Sequence, residues 1–501
     1  MSKSALLLYP NQLFAVDDLP KDVDAIVLVE EPLLFGTDQQ YRMYVHKQKL
    51  VFMRATMRRY IEEELWPAGY QVDYIEFHKL TSSGDIVEGL KKFDLVHVFE
   101  FNDDVLSRRL VDALKSHPDG PKLGVLASPN YYLSSQESDE FFKNTKESQF
   151  PKFYQWQRER FNILIDQDTY KPLEGKWNFR PQKRKRLPKN AELPSFQVYG
   201  TNDFVDEAVD YVEHHFGDNP GSASDLPWPT NRQEARMWLN EFVSTRLSGY
   251  AVYSEAIDGK APWLYHSAIS PMMNAGLLQP QEAINAAVTA AEKQDISVSD
   301  LEAFVRNILG WREYIRGTYR KRHVVLRTAN SFGHNRHMTD DWYRGTTGIP
   351  VVDDVIKKVI DRSYTHNVER TMVLGNIMFL CEFHPDEIYR WFMEMFVDSY
   401  DWAVVPIVYG ISQGAAYTAL DTIPAISSSN FILSMSHYEK GVWSDVWDGL
   451  YWRAIEKHRD KFEKDPDMKM AVTQLDKISS NRRRVIGYRA EDFLKQKTAA
   501  V

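Results

Sequence analysis

Three consecutive stretches decide the fold of the first part of the chain: Ala25-Ile-Val-Leu-Val29, the helical-period segment His46–Leu65, and Gln71-Val-Asp-Tyr-Ile-Glu-Phe77. A short β-branched run, a helix and a second short run make a strand–helix–strand unit, and such units assemble into a parallel sheet. The alternation continues outward. Ala5–Leu8 precedes the unit as a strand. Ile86–Lys92 and Leu106–Lys115 follow as helices, interleaved with Leu95–Phe99 and Leu123–Leu126 as strands. Residues 1–132 are therefore predicted as a doubly wound α/β domain. No Gly-x-Gly-x-x-Gly follows any of these strands, so the usual dinucleotide fingerprint is absent.

Beyond it the composition changes. Residues 133–195 are polar and aromatic with repeated prolines, which predicts a connector with one helix around Phe153–Leu164. From 196 to 501 strand signals nearly vanish. Helical periodicity marks Ala235–Leu247, Pro280–Glu292, Ser299–Ile308, Pro350–Ile360, Val368–Leu380 and Asp386–Phe396. The predicted class is α/β followed by all-α.

A chain of 501 residues is too long for one core. Its net charge of −9 excludes general nucleic-acid coating. Local basic runs at Lys183–Arg186 with Lys189, Arg320–Arg322 and Arg482–Arg484 still allow a contact to DNA, because a patch acts over about 10 Å. The single cysteine, Cys381, can form neither an internal disulfide nor a thiolate metal site. The N-terminus reads as a strand start rather than a signal peptide, and no apolar run reaches membrane length. A cytoplasmic, monomeric protein without membrane contact is expected. The 13 Trp, 26 Tyr and 26 Phe suit a large core or a flat ligand.

Three segments concentrate chemistry. Gly310-Trp311-Arg312-Glu313-Tyr314 offers aromatic rings beside Arg312 and Arg316, a spacing that suits either a packed helix or an anion-pairing shelf. His266-Ser267-Ala-Ile-Ser270-Pro271 places two hydroxyls near a helix start, where a diphosphate would find donors. Thr347-Gly-Ile-Pro-Val-Val-Asp353 opens a helix and leads to Tyr364-Thr-His366-Asn367-Val-Glu-Arg370, a polar edge before an apolar helix.

These segments resemble the photolyase/cryptochrome superfamily, in particular the prokaryotic (6-4) photolyase branch that usually carries an iron–sulfur cluster. Further similar pieces are Phe153-Tyr-Gln-Trp-Gln-Arg-Glu-Arg160, Pro172-Leu-Glu-Gly-Lys-Trp-Asn178, Trp228-Pro-Thr-Asn-Arg232 and Arg390-Trp391 through Trp402. The resemblance implies FAD in the helical domain, an antenna pigment of ribityl lumazine type in the α/β domain, and light-driven electron transfer. It implies that Ser267 and Ser270 face the diphosphate and that Trp311 and Tyr314 wall the ring. It places His266, Asp398, Tyr400 and Trp402 near the flavin. Trp391, with Tyr343 or Trp342, would form a hole-hopping route, and Gln12 and His46 would serve the antenna.

The departures from that family are chemical. Its four cluster cysteines fall on Val351, Glu439, Val442 and about Asp445, none of which supplies a thiolate, so no iron–sulfur cluster is expected. Its second lesion-site histidine, beside His366, is Asn367, an amide without a titratable proton. Its lesion-contacting tyrosines fall on Ala425 and Phe431, an acid on Val404, an Asn on Ile407, and a polar stretch on Ile411–Thr418. Two functions stay open on this reading: a DNA photolyase for pyrimidine lesions in which (6-4) repair is in question, and a cryptochrome-like photoreceptor that repairs nothing. A flavoprotein with no light role stands behind both.

Overall fold

The computed structural model describes residues 3–117, 119–143, 150–179, 184–193, 197–199, 201–261, 263–417, 423–466 and 468–499. Five parallel strands, β1 (Ser4–Leu8), β2 (Ala25–Val29), β3 (Val72–Ile75), β4 (Leu95–Phe99) and β5 (Lys122–Leu126), form one sheet in the order β3-β2-β1-β4-β5. β1 lies at the centre, with Ala5 opposite Ala25 on one side and Val96 on the other. Its apolar run needs no alternation because both faces are covered. Ala5, Leu7, Val27 and Val98 pack beneath Leu106 and Leu110 of a helix at Asp104–Lys115. Leu6, Leu8, Ile26 and Leu28 point the other way, into a core that runs on into the helical part.

Helix α1 (Lys47–Tyr60) joins the two parts. It is buried along nearly its whole length, charged residues included, and each charge has a partner. Lys47 pairs with Glu213 at 2.8 Å, and Arg54 binds Glu30, Glu76 and Glu207 while lying 3.6 Å over the Tyr211 ring. Lys49 donates to the carbonyls of Ser399 (2.7 Å) and Met393 (3.3 Å). Burial lowers its pKa to about 7, against the pull of Asp398.

From Asp203 onward the regular secondary structure of the described residues is almost all helical. The periodicity reading places its helices well; Pro280–Lys293, Pro350–Arg362 and Pro385–Met395 each start on the proline that favours a first helical turn. It does not reveal the π-helical turns at Ile61–Leu65, Arg306–Arg312, Glu369–Gly375 and Pro406–Ser412. A π turn inserts one residue and rotates every side chain after it, often where function is built. Among the described residues no helix is long and apolar enough to cross a membrane.

Candidate functional site

The π turn Arg306–Arg312 hands its last residue inward. Arg312 Nη1 donates to Asn274 Oδ1 at 2.5 Å, and its guanidinium lies 4.9 Å over Trp402 and 5.0 Å over Tyr131. Its Nε and Nη2 are buried without a hydrogen-bond partner, and among the described residues no carboxylate pairs with it. Burial disfavours the charge and lowers its pKa. A buried cation without a counter-ion is costly, so this arrangement fits an anionic ligand. Arg316, four residues on, is spent on the Leu133 carbonyl, Glu100, Asn102 and Ser135.

Beside Arg312 lies an ion pair. Arg370 donates to both oxygens of Asp398, at 2.8 and 3.1 Å, and lies over the Phe396 and Tyr364 rings. Asp398 also accepts from the Ser270 hydroxyl at 2.5 Å, and its carbonyl accepts from Asn274 at 2.9 Å. The Tyr400 hydroxyl is buried with no partner. His266 and His366 stack face to face, ring centres 4.3 Å apart and planes 8° from parallel. Two positive rings at that distance would repel by about 4 kcal/mol at an effective dielectric of 20. Burial, and then His366, hold His266 well below the ordinary imidazole pKa.

Several sequence expectations require correction. Trp311 is 37% exposed and stacks on Phe150, and Tyr314 packs on Phe142, Phe150 and Phe153. Both rings therefore wall the connector helix Phe150–Phe161; Trp402, Tyr131 and Tyr364 are the aromatics at the Arg312–Arg370 site. The Ser270 hydroxyl is engaged, donating to Asp398, while the Ser267 carbonyl accepts from Trp238 Nε1 at 2.8 Å. Trp263, three residues before His266, is buried against Trp228, Trp238 and Tyr364. His46 spends both ring nitrogens within the protein, accepting from the Gln48 N–H at one end of α1 and meeting the Ile360 carbonyl at 2.8 Å.

Gln12 is buried with its Oε1 unpartnered. It lines a crevice at the carboxyl ends of β1, β4 and β5 with Asn11, Asn102, Asp103 and Asn130. That is the switch point of the strand order, where open α/β sheets bind ligands. The crevice volume, 10 Å³, is about that of one water.

Trp391 is fully buried, and its indole N–H donates to the Trp342 carbonyl at 3.0 Å. It touches Phe396, the ring beneath Arg370, at 5.8 Å. Trp342 is also fully buried and donates to the Lys497 carbonyl at 2.8 Å, while its neighbour Tyr343 is partly exposed. Asn367 is exposed, and Val404 is buried in the second core. Where the family's cluster ligands fall, Val351 is buried and Asp445 is bound by Arg482 and Arg489. Lys183 and Thr418 lie outside the described residues.

Residues 6–228 match the family model of deoxyribodipyrimidine photo-lyase-related proteins, and residues 303–442 match the FAD binding domain of DNA photolyase. Arg312, Arg370, Asp398 and Trp402 all fall inside the second match, and with the fold above they define a flavoprotein class: the chain belongs to the photolyase/cryptochrome superfamily. Within that class it stands near the bacterial (6-4) photolyases. It is 27% identical over 503 residues to the (6-4) photolyase of Agrobacterium fabrum, covering 96% of each chain. A class III photolyase from Agrobacterium tumefaciens shares the fold with a TM-score of 0.56 at 16% identity, over 99% of this chain and 98% of that one. A Synechocystis cryptochrome does so with a TM-score of 0.56 at 14% identity, over 99% and 98%.

Proposed function

We propose that the protein binds FAD at the Arg312–Arg370 site and works by blue-light-driven electron transfer, as a photolyase-type flavoprotein in which (6-4) repair is absent or very slow. The buried, uncompensated guanidinium of Arg312 carries the reading: it asks for an anion, and the adjoining Trp402 face asks for a flat ring. FAD supplies a diphosphate and a ring that accepts an electron when excited by blue light. Arg312 and Asn274 would hold the anionic part. The Arg370–Asp398 pair, with Asp398 already fixed by Ser270, would present a fixed hydrogen-bonding edge to the ring. Trp391 would donate the electron through Phe396, and Trp342 and Tyr343 would carry the hole outward. An antenna pigment would have to open the Gln12 crevice to bind.

The deciding experiment is purification followed by a light-dependent repair assay on both pyrimidine-dimer types. Yellow, FAD-containing, iron-free protein is expected. A colourless preparation that takes up no FAD, or stoichiometric iron, would overturn the reading. Trp391→Phe is expected to slow photoreduction strongly, since Phe is far harder to oxidise; it also leaves the Trp342 carbonyl unpaired, at a stability cost of about 1–3 kcal/mol. Transient absorption in the variant checks the route, and unchanged photoreduction would move it elsewhere.

A photoreceptor without repair is the second reading, favoured by the pairing of the basic runs. Arg184 pairs with Glu255, Arg320 with Asp139, and Arg482 with Asp445. If DNA binds, phosphate contacts lead, and the logarithm of the affinity should fall with that of salt by about 0.9 per contact. Fluorescence anisotropy at a series of salt concentrations measures that slope. No binding to damaged or undamaged DNA would favour the photoreceptor.

A further inference from the structure

Behind the proposed flavin site, four buried side chains form a connected line. Glu369 and His366 are both 0% exposed, with His366 Nε2 3.5 Å from Glu369 Oε2. The Lys358 ammonium and the Thr365 hydroxyl each donate to the same carboxylate. Lys358 is held from its far side by the Asp258 carbonyl at 2.8 Å. His366 then lies flat on His266. Neither ring nitrogen of His366 has a hydrogen-bond partner, nor has Nε2 of His266. Packing does not require two stacked imidazoles with three nitrogens left without hydrogen bonds, one of them facing a buried carboxylate.

The charges around the stack set what it can do. Lys358 already balances Glu369, so the line is neutral when both rings are neutral. Arg370 is balanced by Asp398, while Arg246, whose guanidinium donates to the His266 carbonyl, adds a positive field. Tyr250 closes the edge of His266 with its ring 6.0 Å away. Extra positive charge is therefore unwelcome until negative charge enters the pocket. The 4.3 Å stacking then admits one proton and excludes a second.

We infer that His266 and His366 act as a single protonation site that balances negative charge arriving in the pocket, with Lys358 and Glu369 as positioning residues that hold the proton on the His366 side. In the step, one solvent proton adds to a ring-nitrogen lone pair, an N–H bond forms, and no electron moves. The inference rests on the flavin reading only for the identity of the anion. It gives the pocket a buried acid that Asn367, exposed at its rim, does not provide.

The test is histidine-selective ¹⁵N NMR of the full chain, with His266→Asn and His366→Asn assigning the signals, run with and without added FAD. One protonation for the two rings together is expected, made easier by FAD, and with Glu369→Gln its midpoint should fall by about one pH unit while Glu369→Asp restores it. Photoreduction in a dye-reported buffer counts the flavin's own proton in both forms, so the wild type should take up one proton more per flavin than His366→Asn. Two independent protonations, or a midpoint indifferent to Glu369→Gln, would overturn the inference. If Glu369→Gln does not fold, the difference in proton uptake between the wild type and His366→Asn decides. Protein that binds no FAD would sink the flavin reading, and the joint protonation of the two rings in the NMR titration would then decide the inference.

Discussion

Light-dependent repair of a (6-4) oligonucleotide is expected to run about 10²–10⁴-fold below what a site with a positioned acid achieves, the usual contribution of general-acid catalysis. That lesion needs a proton as the electron arrives, and without one the electron returns. Asn367, which takes the position of the family's second histidine, is exposed and has no proton to give. His366 is fully buried and faces Glu369 and His266, so its proton serves the interior. Val404, Ala425 and Phe431 leave a polar lesion short of partners, at about 1–3 kcal/mol for each hydrogen bond lost. The measurement compares the wild type with Asn367→His, which the exposed backbone tolerates. Efficient wild-type turnover would place the acid elsewhere. Recovery in Asn367→His alone would make the apolar substitutions minor.

Arg312→Met should separate ligand binding from stability by moving them in opposite directions. Losing charge-assisted hydrogen bonds worth about 1.5–3 kcal/mol weakens FAD binding about 10–150-fold. The FAD-free protein should melt higher, because an unpaired buried charge is replaced by an apolar chain of similar length. The contacts to Trp402 and Tyr131 offset this by about 0.5–1 kcal/mol each, less than the desolvation they oppose. Flavin titration and thermal melting of the FAD-free form check the two signs. A lower melting temperature with unchanged FAD affinity would make Arg312 a structural residue.

The sheet was legible because parallel strands advertise themselves: Ala25–Val29 is an unbroken apolar run and Leu95–Phe99 one broken only by His97, and the structure returns both with the same ends. The helices followed from period and from prolines at their starts. The site was legible as a set of segments and much less as geometry. The family resemblance set Trp311 and Tyr314 at the ring, and helix spacing gave Arg312 no precedence over Arg316; the π turn ending at Arg312 carries an extra residue that no hydrophobic pattern records. His46 looked like a pigment ligand because its role depends on the Ile360 carbonyl, 314 residues away. Glu369 carried a local signal, three residues after His366, but its burial did not.

Helix α1 bears on how the molecule comes apart. It contributes to the face of the sheet that holds Leu6 and Leu8, yet Lys49 ends on carbonyls of Met393 and Ser399, and Gln48 on those of Ser224 and Asp361. Freeing residues 1–132 from the rest would strand those donors and the Arg54 guanidinium. Melting one half alone thus forfeits contacts that belong to the other, and calorimetry of the intact chain should register one transition in place of two.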